Sequence, residues 1–254
     1  MVTGVTEEEK CWVAEGLNCK LGTLPIKYLG LPVSDKTLSV ADWHFLTEEG
    51  HRVDPWQGLF LTSAGRLELT NSCLSSLPMF AMGIYLLHDS THGAMNKSRS
   101  RFFWEGVGNK RKYHMVDWAY VCKPKAFGGL GILNTKFMNI ALMLKWVWKL
   151  YQNADGLWAD LIRAKYLGNN DLFSLADLVS LSLEASGEYS TNSIYHRLSL
   201  GAVVTHLKDV WKTRVPPKIK IFLWQMLRGR LPSGDQLVKR HGPSDGNCAL
   251  SGDR

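Results

Sequence analysis

Apolar residues in this chain recur mostly at helical spacing, in segments separated by Gly-, Pro- and Lys-rich stretches. The first patterned segment differs. Leu24-Pro25-Ile26-Lys27-Tyr28-Leu29-Gly30-Leu31-Pro32 reads as extended chain closed by Gly and Pro. From Val40 to Trp56 the spacing turns helical, with Trp43, Leu46 and Val53 at steps of three and seven and Pro55 near the end. Thr62 opens a second helix whose apolar positions Leu67, Leu69, Cys73, Leu74 and Leu77 run up to Pro78. A third, basic helix is predicted from Thr91 to Trp104, and the stretch from Gly106 to Gly131 reads mostly as loop.

The strongest pattern is Asn134 to Gln152. It is apolar around most of its circumference, with Lys145, Lys149 and Gln152 on one narrow stripe, and such a helix is largely buried. A short helix follows from Gly156 to Leu167, while Leu172 to Glu184 is ambiguous. Ser190 to Leu200 reads as a helix with Ile194, Tyr195 and Leu198 inward, and Leu207 to Lys212 as a short one. Pro216-Pro217 starts a helix from Lys218 to Gly229, since proline in a first turn loses no amide partner. Its core face is expected at Ile219, Phe222, Leu223 and Met226, with Lys218, Lys220 and Arg228 outside. Ser233 is placed to cap a last helix ending at Arg240. The sum is a mainly α chain with a boundary near residue 185.

Composition sharpens this. The chain has 254 residues, 45% of them hydrophobic and ten of them tryptophan, enough apolar area for a packed core. Mean hydropathy is −0.12 and the longest apolar run, Met79 to Leu87, is too short to span a bilayer, so no membrane partner is expected. The acidic N-terminus has no apolar core of a secretory signal. Five cysteines without regular spacing fit free thiols in a reducing, intracellular compartment. Cys11 and Cys19 with His44 and His51 fit no short-spaced ligand pair.

Charge is the uneven quantity. Residues 1–60 carry five basic and nine acidic side chains, residues 97–125 eight and two, and residues 208–240 nine and two. The two basic blocks exceed the net charge of +7 between them. Clustered cations among aromatics point to a polyanion, although a solvated basic face has the same composition.

Enzyme signatures fail in turn. There is no Walker loop, no Gly-x-Ser-x-Gly elbow, no His-Glu-x-x-His pair and no Asp-Asp doublet. Two-metal polymerase or nuclease chemistry needs converging carboxylates, and the acidic clusters Glu7-Glu8-Glu9 and Glu48-Glu49 read as solvated. Gly128-Gly129-Leu130-Gly131 beside Lys123 and Lys125 suggests a phosphate cradle. The following helix, however, starts three residues too late, which favours a tight turn.

An ordered series of motifs carries a resemblance. It runs Leu24-Pro25-x-x-Tyr28-Leu29-Gly30-Leu31-Pro32, Leu74-Ser75-Ser76-Leu77-Pro78, Phe102-Phe103-Trp104-x-Gly106 and His114-x-Val116-x-Trp118. It continues through Val121-Cys122-x-Pro124-Lys125-x-x-Gly128-Gly129-Leu130-Gly131-Ile132, Asn139-x-Ala141-Leu142 and Lys145-Trp146-x-Trp148. This resembles the region downstream of the polymerase core in plant LINE-type (non-LTR) retrotransposon reverse transcriptases. Gly187-Glu188-Tyr189-Ser190, Tyr195, Trp211-Lys212, Val215-Pro216-Pro217-Lys218, Phe222-x-Trp224, Leu231-Pro232 and Cys248 resemble the zinc-binding domain that closes such polyproteins.

The resemblance implies a thumb-like irregular helical bundle over 1–171, a shortened linker over 172–186 and a truncated zinc-binding helical domain over 187–254. It places the catalytic palm upstream of residue 1, so a catalytically incomplete remnant is expected, with no cofactor. Cys248 stands where the first metal ligand belongs, but Ser251 replaces the second, and a serine hydroxyl is a poor Zn²⁺ ligand. No metal is therefore expected. Without a palm, Trp12, Leu29 and Leu31 are expected to be exposed and the isolated chain marginally stable.

Sequence-tolerant binding of RNA or DNA is the expected residual activity. Its candidate residues are Lys110, Arg111, Lys112, Lys123 and Lys125 in the first block, then Lys212, Arg214, Lys218 and Lys220 in the second. A degenerate product without selected function, or an excerpt of an active polyprotein, are the alternatives. Nuclear action follows from the resemblance alone, since Lys110-Arg111-Lys112 is too short to argue as a nuclear signal.

Overall fold

The computed structural model describes residues 6–46, 61–105, 113–152, 155–167, 189–201 and 204–231. It is mainly helical, as the periodicity predicted. It divides into two compact units, residues 1–45 and 46–254.

The first unit opens with α1 (Glu7–Gly16). Thr6 begins it through a capping box: Thr6 Oγ1 accepts from the Glu9 amide, and the Glu9 carboxylate accepts from the Thr6 amide at 2.9 Å. The extended segment forms a hairpin, β1 (Ile26–Tyr28) against β2 (Leu31–Val33), with Tyr28 opposite Leu31. Both turn residues take positive φ, Leu29 at 49° and Gly30 at 84°, the geometry that matches strand twist in a two-residue turn. Trp12 and Leu29 are exposed as expected, but Leu31 is buried, a correction that strand alternation does not account for, since Leu31 shares a face of the hairpin with the exposed Tyr28 opposite it. The predicted helix from Val40 begins instead as a 3-10 turn, Val40–Trp43, which buries Trp43; the rest of that prediction, 47–60, lies outside the described residues.

In the second unit Thr62 caps α2 (Ser63–Leu69), its side chain accepting from the Gly65 amide at 3.2 Å. The helix then widens into a π turn, Thr70–Leu74. Hydroxyls drive the widening: Thr70 donates to the Arg66 carbonyl at 2.7 Å and Ser75 to the Thr70 carbonyl at 2.8 Å, competing with the backbone ladder. A short α3 (Met79–Met82) leads into the long α4 (Asp89–Glu105), whose inward face is Met95, Phe102, Phe103 and Trp104. From residue 113 on, the described chain holds a four-residue α5 (Trp118–Val121) and a 3-10 turn, Lys125–Phe127.

Asn134 caps α6 (Thr135–Tyr151) by accepting from the Lys136 and Phe137 amides. This helix is less buried than its composition predicts. Thr135, Asn139, Ala141 and Leu150 are inside, and Trp146 and Tyr151 are exposed. Asn139 explains the inward polar position. It accepts from the Leu87 amide at 2.8 Å and donates to the Met82 and Tyr85 carbonyls, fixing the connection between α3 and α4.

Next come α7 (Leu157–Ile162), α8 (Thr191–Leu198), α9 (Thr205–Lys212) and α10 (Pro217–Leu227). The stretch 172–186 lies outside the described residues. On α8 Ile194 is buried and Tyr195 half-buried, but Leu198 is exposed rather than inward. The α10 prediction also needs correction, since Ile221 and Trp224 are its buried residues and Ile219, Phe222 and Met226 face solvent. The segment is apolar on both sides, so its periodicity did not define the phase. One core cluster joins Leu67, Phe103, Trp104, Val121, Leu130 and Ile132 to Leu207, Ile221 and Trp224, drawing on residues before and after 185.

Candidate nucleic-acid interface

The two basic blocks meet around the Gly128 loop. Asp117 caps α5 by accepting from the Ala119 amide at 3.1 Å, and Val121 and Cys122 then bury themselves in the core. Pro124 ends the helix, and the chain doubles back through Gly128, a left-handed position at φ 82°. At Gly129 a Cβ would stand 2.0 Å from the Lys123 carbonyl oxygen, so only glycine fits there. The loop amides are all turned inward: Gly128 donates to the Lys125 carbonyl, Gly129 to Pro124, Leu130 to Val121 and Gly131 to Lys123. The glycine-rich stretch is thus a tight turn that presents lysines, with its amides already committed.

Helix α10 docks on this turn. Trp224 Nε1 donates to the Gly128 carbonyl at 2.7 Å, and the Arg228 guanidinium reaches the same oxygen at 3.4 Å. Arg228 also lies 3.5 Å from the centre of the Tyr120 ring, with Lys123 Nζ 4.5 Å from that centre. Beside this pair, Lys125 Nζ sits 5.0 Å from the Trp211 ring centre, and Lys220 Nζ donates to the Trp211 carbonyl at 3.0 Å. Cations of both blocks, Lys123 and Arg228, therefore share the Tyr120 ring, and at Trp211 Lys125 lies over the ring while Lys220 holds the backbone carbonyl.

The candidate residues fare differently within this arrangement. Lys123 and Lys125 are exposed and adjacent to the second block. Lys212 is exposed but paired with Asp209 at 2.9 Å. Arg214 and Lys218 are exposed on the chain entering α10. Lys220 and Arg228 are not outside as expected; they are half-buried, because α10 is rotated to put Trp224 in the core. Lys110, Arg111 and Lys112, with Cys248 and Ser251, lie outside the described residues.

Sequence reading missed the aromatic partners Tyr120 and Trp211, although aromatics interleaved with cations are visible at both places. It also counted Arg99 in the first basic block, residues 97–125. Arg99 is buried instead, donating to Ser75 Oγ at 2.8 Å, the Leu133 carbonyl at 3.0 Å and Asn96 Oδ1 at 2.6 Å. Desolvation draws its pKa down from the ordinary arginine value. Burial pushes the Cys122 thiol up to about 11, leaving it an unreactive core residue. Among the described residues no group of three His, Cys, Asp or Glu side chains is placed to hold a metal, and no helix is long and apolar enough to cross a membrane.

Comparison with known proteins places these elements in context. Residues 189–254 match the family described as zinc-binding in reverse transcriptase, on the stretch where the motifs resembled that domain. Over 137 residues, 54% of this chain, it is 36% identical to an Arabidopsis thaliana protein named as a ribonuclease H protein, of which the match covers 22%. Over 122 residues, 48% of this chain, it is 28% identical to an uncharacterized mitochondrial protein of Arabidopsis thaliana, covering 75% of it. The chain thus corresponds to about a fifth of the first relative's length and three quarters of the second's. No solved structure matches.

Proposed function

From the premise that this chain is related to plant reverse transcriptases, we propose that it serves as a nucleic-acid-gripping segment rather than a reaction centre. The observation that carries the reading is the convergence of Lys123, Lys125, Lys220 and Arg228 around Tyr120 and Trp211. Cations supported by aromatic rings hold their geometry while their charge remains directed to a polyanion. Exposed Lys123 and Lys125 would neutralise successive phosphates, with Arg214 and Lys218 extending the positive surface. Lys110, Arg111 and Lys112 belong to the same basic block by sequence. The half-buried Arg228 acts as a brace, tying the second block to the turn that presents the first, and half-buried Lys220 ties α10 to α9 within the second block.

Phosphate contact of this kind carries no base information, so binding would be tolerant of sequence and open to both RNA and DNA. Charge reversal tests the reading. The double change Lys123→Glu and Lys125→Glu is expected to lower affinity for RNA by at least tenfold with the fold retained. The triple change of Lys110, Arg111 and Lys112 to Glu should lower it comparably. Unchanged affinity in both variants would remove the basis for the proposal.

A further inference from the structure

The α10 helix has a second face that the contacts at Gly128 do not use. Ile221 and Trp224 define its buried side, and Lys220 and Arg228 are drawn toward Trp211 and Tyr120. On the opposite side Lys218, Phe222 and Met226 follow one another four residues apart, in a single row along the helix, with Ile219 alongside. Phe222 is 51% exposed, Met226 43% and Ile219 38%, so the ring stands in solvent with apolar shoulders. An exposed aromatic on a helix that already buries a full core face is surplus to folding.

The electrostatic surroundings are one-sided. From 210 to 234 the sequence holds six basic residues and no acidic one, and Arg214 and Lys218, nearest the row's first turn, are both exposed. A protein partner selected for an apolar row alone would not require this charge. A polyanion that also displays flat apolar faces does, and single-stranded nucleic acid has that chemistry: phosphates every nucleotide and bases free to stack. A duplex supplies the phosphates but hides its base faces in the stack.

We infer that the outer face of α10 is a stacking site for single-stranded nucleic acid, with a base on Phe222 and flanking phosphates on Arg214 and Lys218. This rests on the nucleic-acid reading above and adds to it a strand preference that charge alone does not produce. Met226 and Ile219 bracket the ring and shield the stacked base from water.

The test uses the full chain with two fluorescent probes of equal length, an unstructured oligoribonucleotide and a duplex, titrated by anisotropy at fixed salt. The intact protein is expected to bind the single strand more tightly. Phe222→Ala should weaken single-strand binding about tenfold and leave duplex binding unchanged, while Phe222→Tyr keeps the preference. Because Phe222 is half exposed, melting temperatures of the variants should match the parent, which separates stacking from misfolding.

If Phe222→Ala binds the single strand as well as the parent does, or weakens both probes equally, the stacking site is overturned and the broader binding reading stands. Binding of neither probe by the parent overturns both. Self-association that is abolished by Phe222→Ala would assign this face to a second copy of the chain and likewise overturn the inference.

Discussion

At the scale of single residues the molecule is held by polar groups in apolar places. Arg99 ties Ser75, Asn96 and Leu133 together from inside the core, and Asn139 secures three backbone groups before α4. His92 belongs to the same interior, buried with its Nδ1 3.1 Å from Thr135 Oγ1, and faced by Asp89, Lys136 and Arg99. Desolvation outweighs the hydrogen bond to Asn139 and the attraction of Asp89, so its pKa is lowered in the folded state. The unfolded chain then binds the proton more readily than the folded one. His92's contribution to stability is full above about pH 6.5, the unfolded value, and is lost as pH falls from there through the lower folded value. Melting temperatures measured from pH 7.5 down to 5 should show this loss, and His92→Gln should flatten it. An unaltered pH profile in the variant would place the titrating group elsewhere.

At the scale of elements, sequence patterning was informative where one physical requirement dominated. The helix starts at Thr62 and Asn134 and the extent of α6 follow from local chemistry and are legible in the residues themselves. The Thr6-capped helix and the hairpin turn at Leu29-Gly30 are not legible, since their segments read as a solvated acidic end and a single extended stretch. Nor is the phase of α10. Ile219, Phe222 and Met226 make as good an apolar stripe as Ile221 and Trp224, and only the pocket at Gly128 decides between them. Arg99 and Lys220 illustrate the same limit for the binding surface: a basic residue's place inside or outside depends on distant carbonyls, at Leu133 and Trp211, that composition does not reveal.

The Trp224 contact gives this scale its prediction. Trp224→Phe removes the indole donor and leaves the Gly128 carbonyl with the longer Arg228 contact, which should cost about 1–2 kcal/mol by chemical denaturation. Trp224→Ala adds a cavity in a fully buried site and should cost about 3–5 kcal/mol. If both variants were as stable as the parent, α10 would not be docked on the turn.

At the scale of the whole molecule, the relevant fact is that residues far apart in sequence form one positive surface. Core residues Leu207, Ile221 and Trp224 sit in the same cluster as Val121, Leu130 and Ile132, so the segment matching the zinc-binding family and the glycine turn fold as neighbours. Joined in this way, Lys123 and Lys125 act beside Trp211 and Arg228 rather than as separate charge runs. Exposed Trp12 and Leu29 belong to the first unit.

The central claim, that this surface grips a phosphate backbone, predicts counterion release. The most direct measurement is the affinity of the purified chain for a single-stranded RNA across a series of salt concentrations. With about four to six phosphates neutralised, the logarithm of the binding constant should fall linearly with the logarithm of salt at a slope of roughly −3 to −4. A slope near zero, or no measurable binding at low salt, would contradict the account.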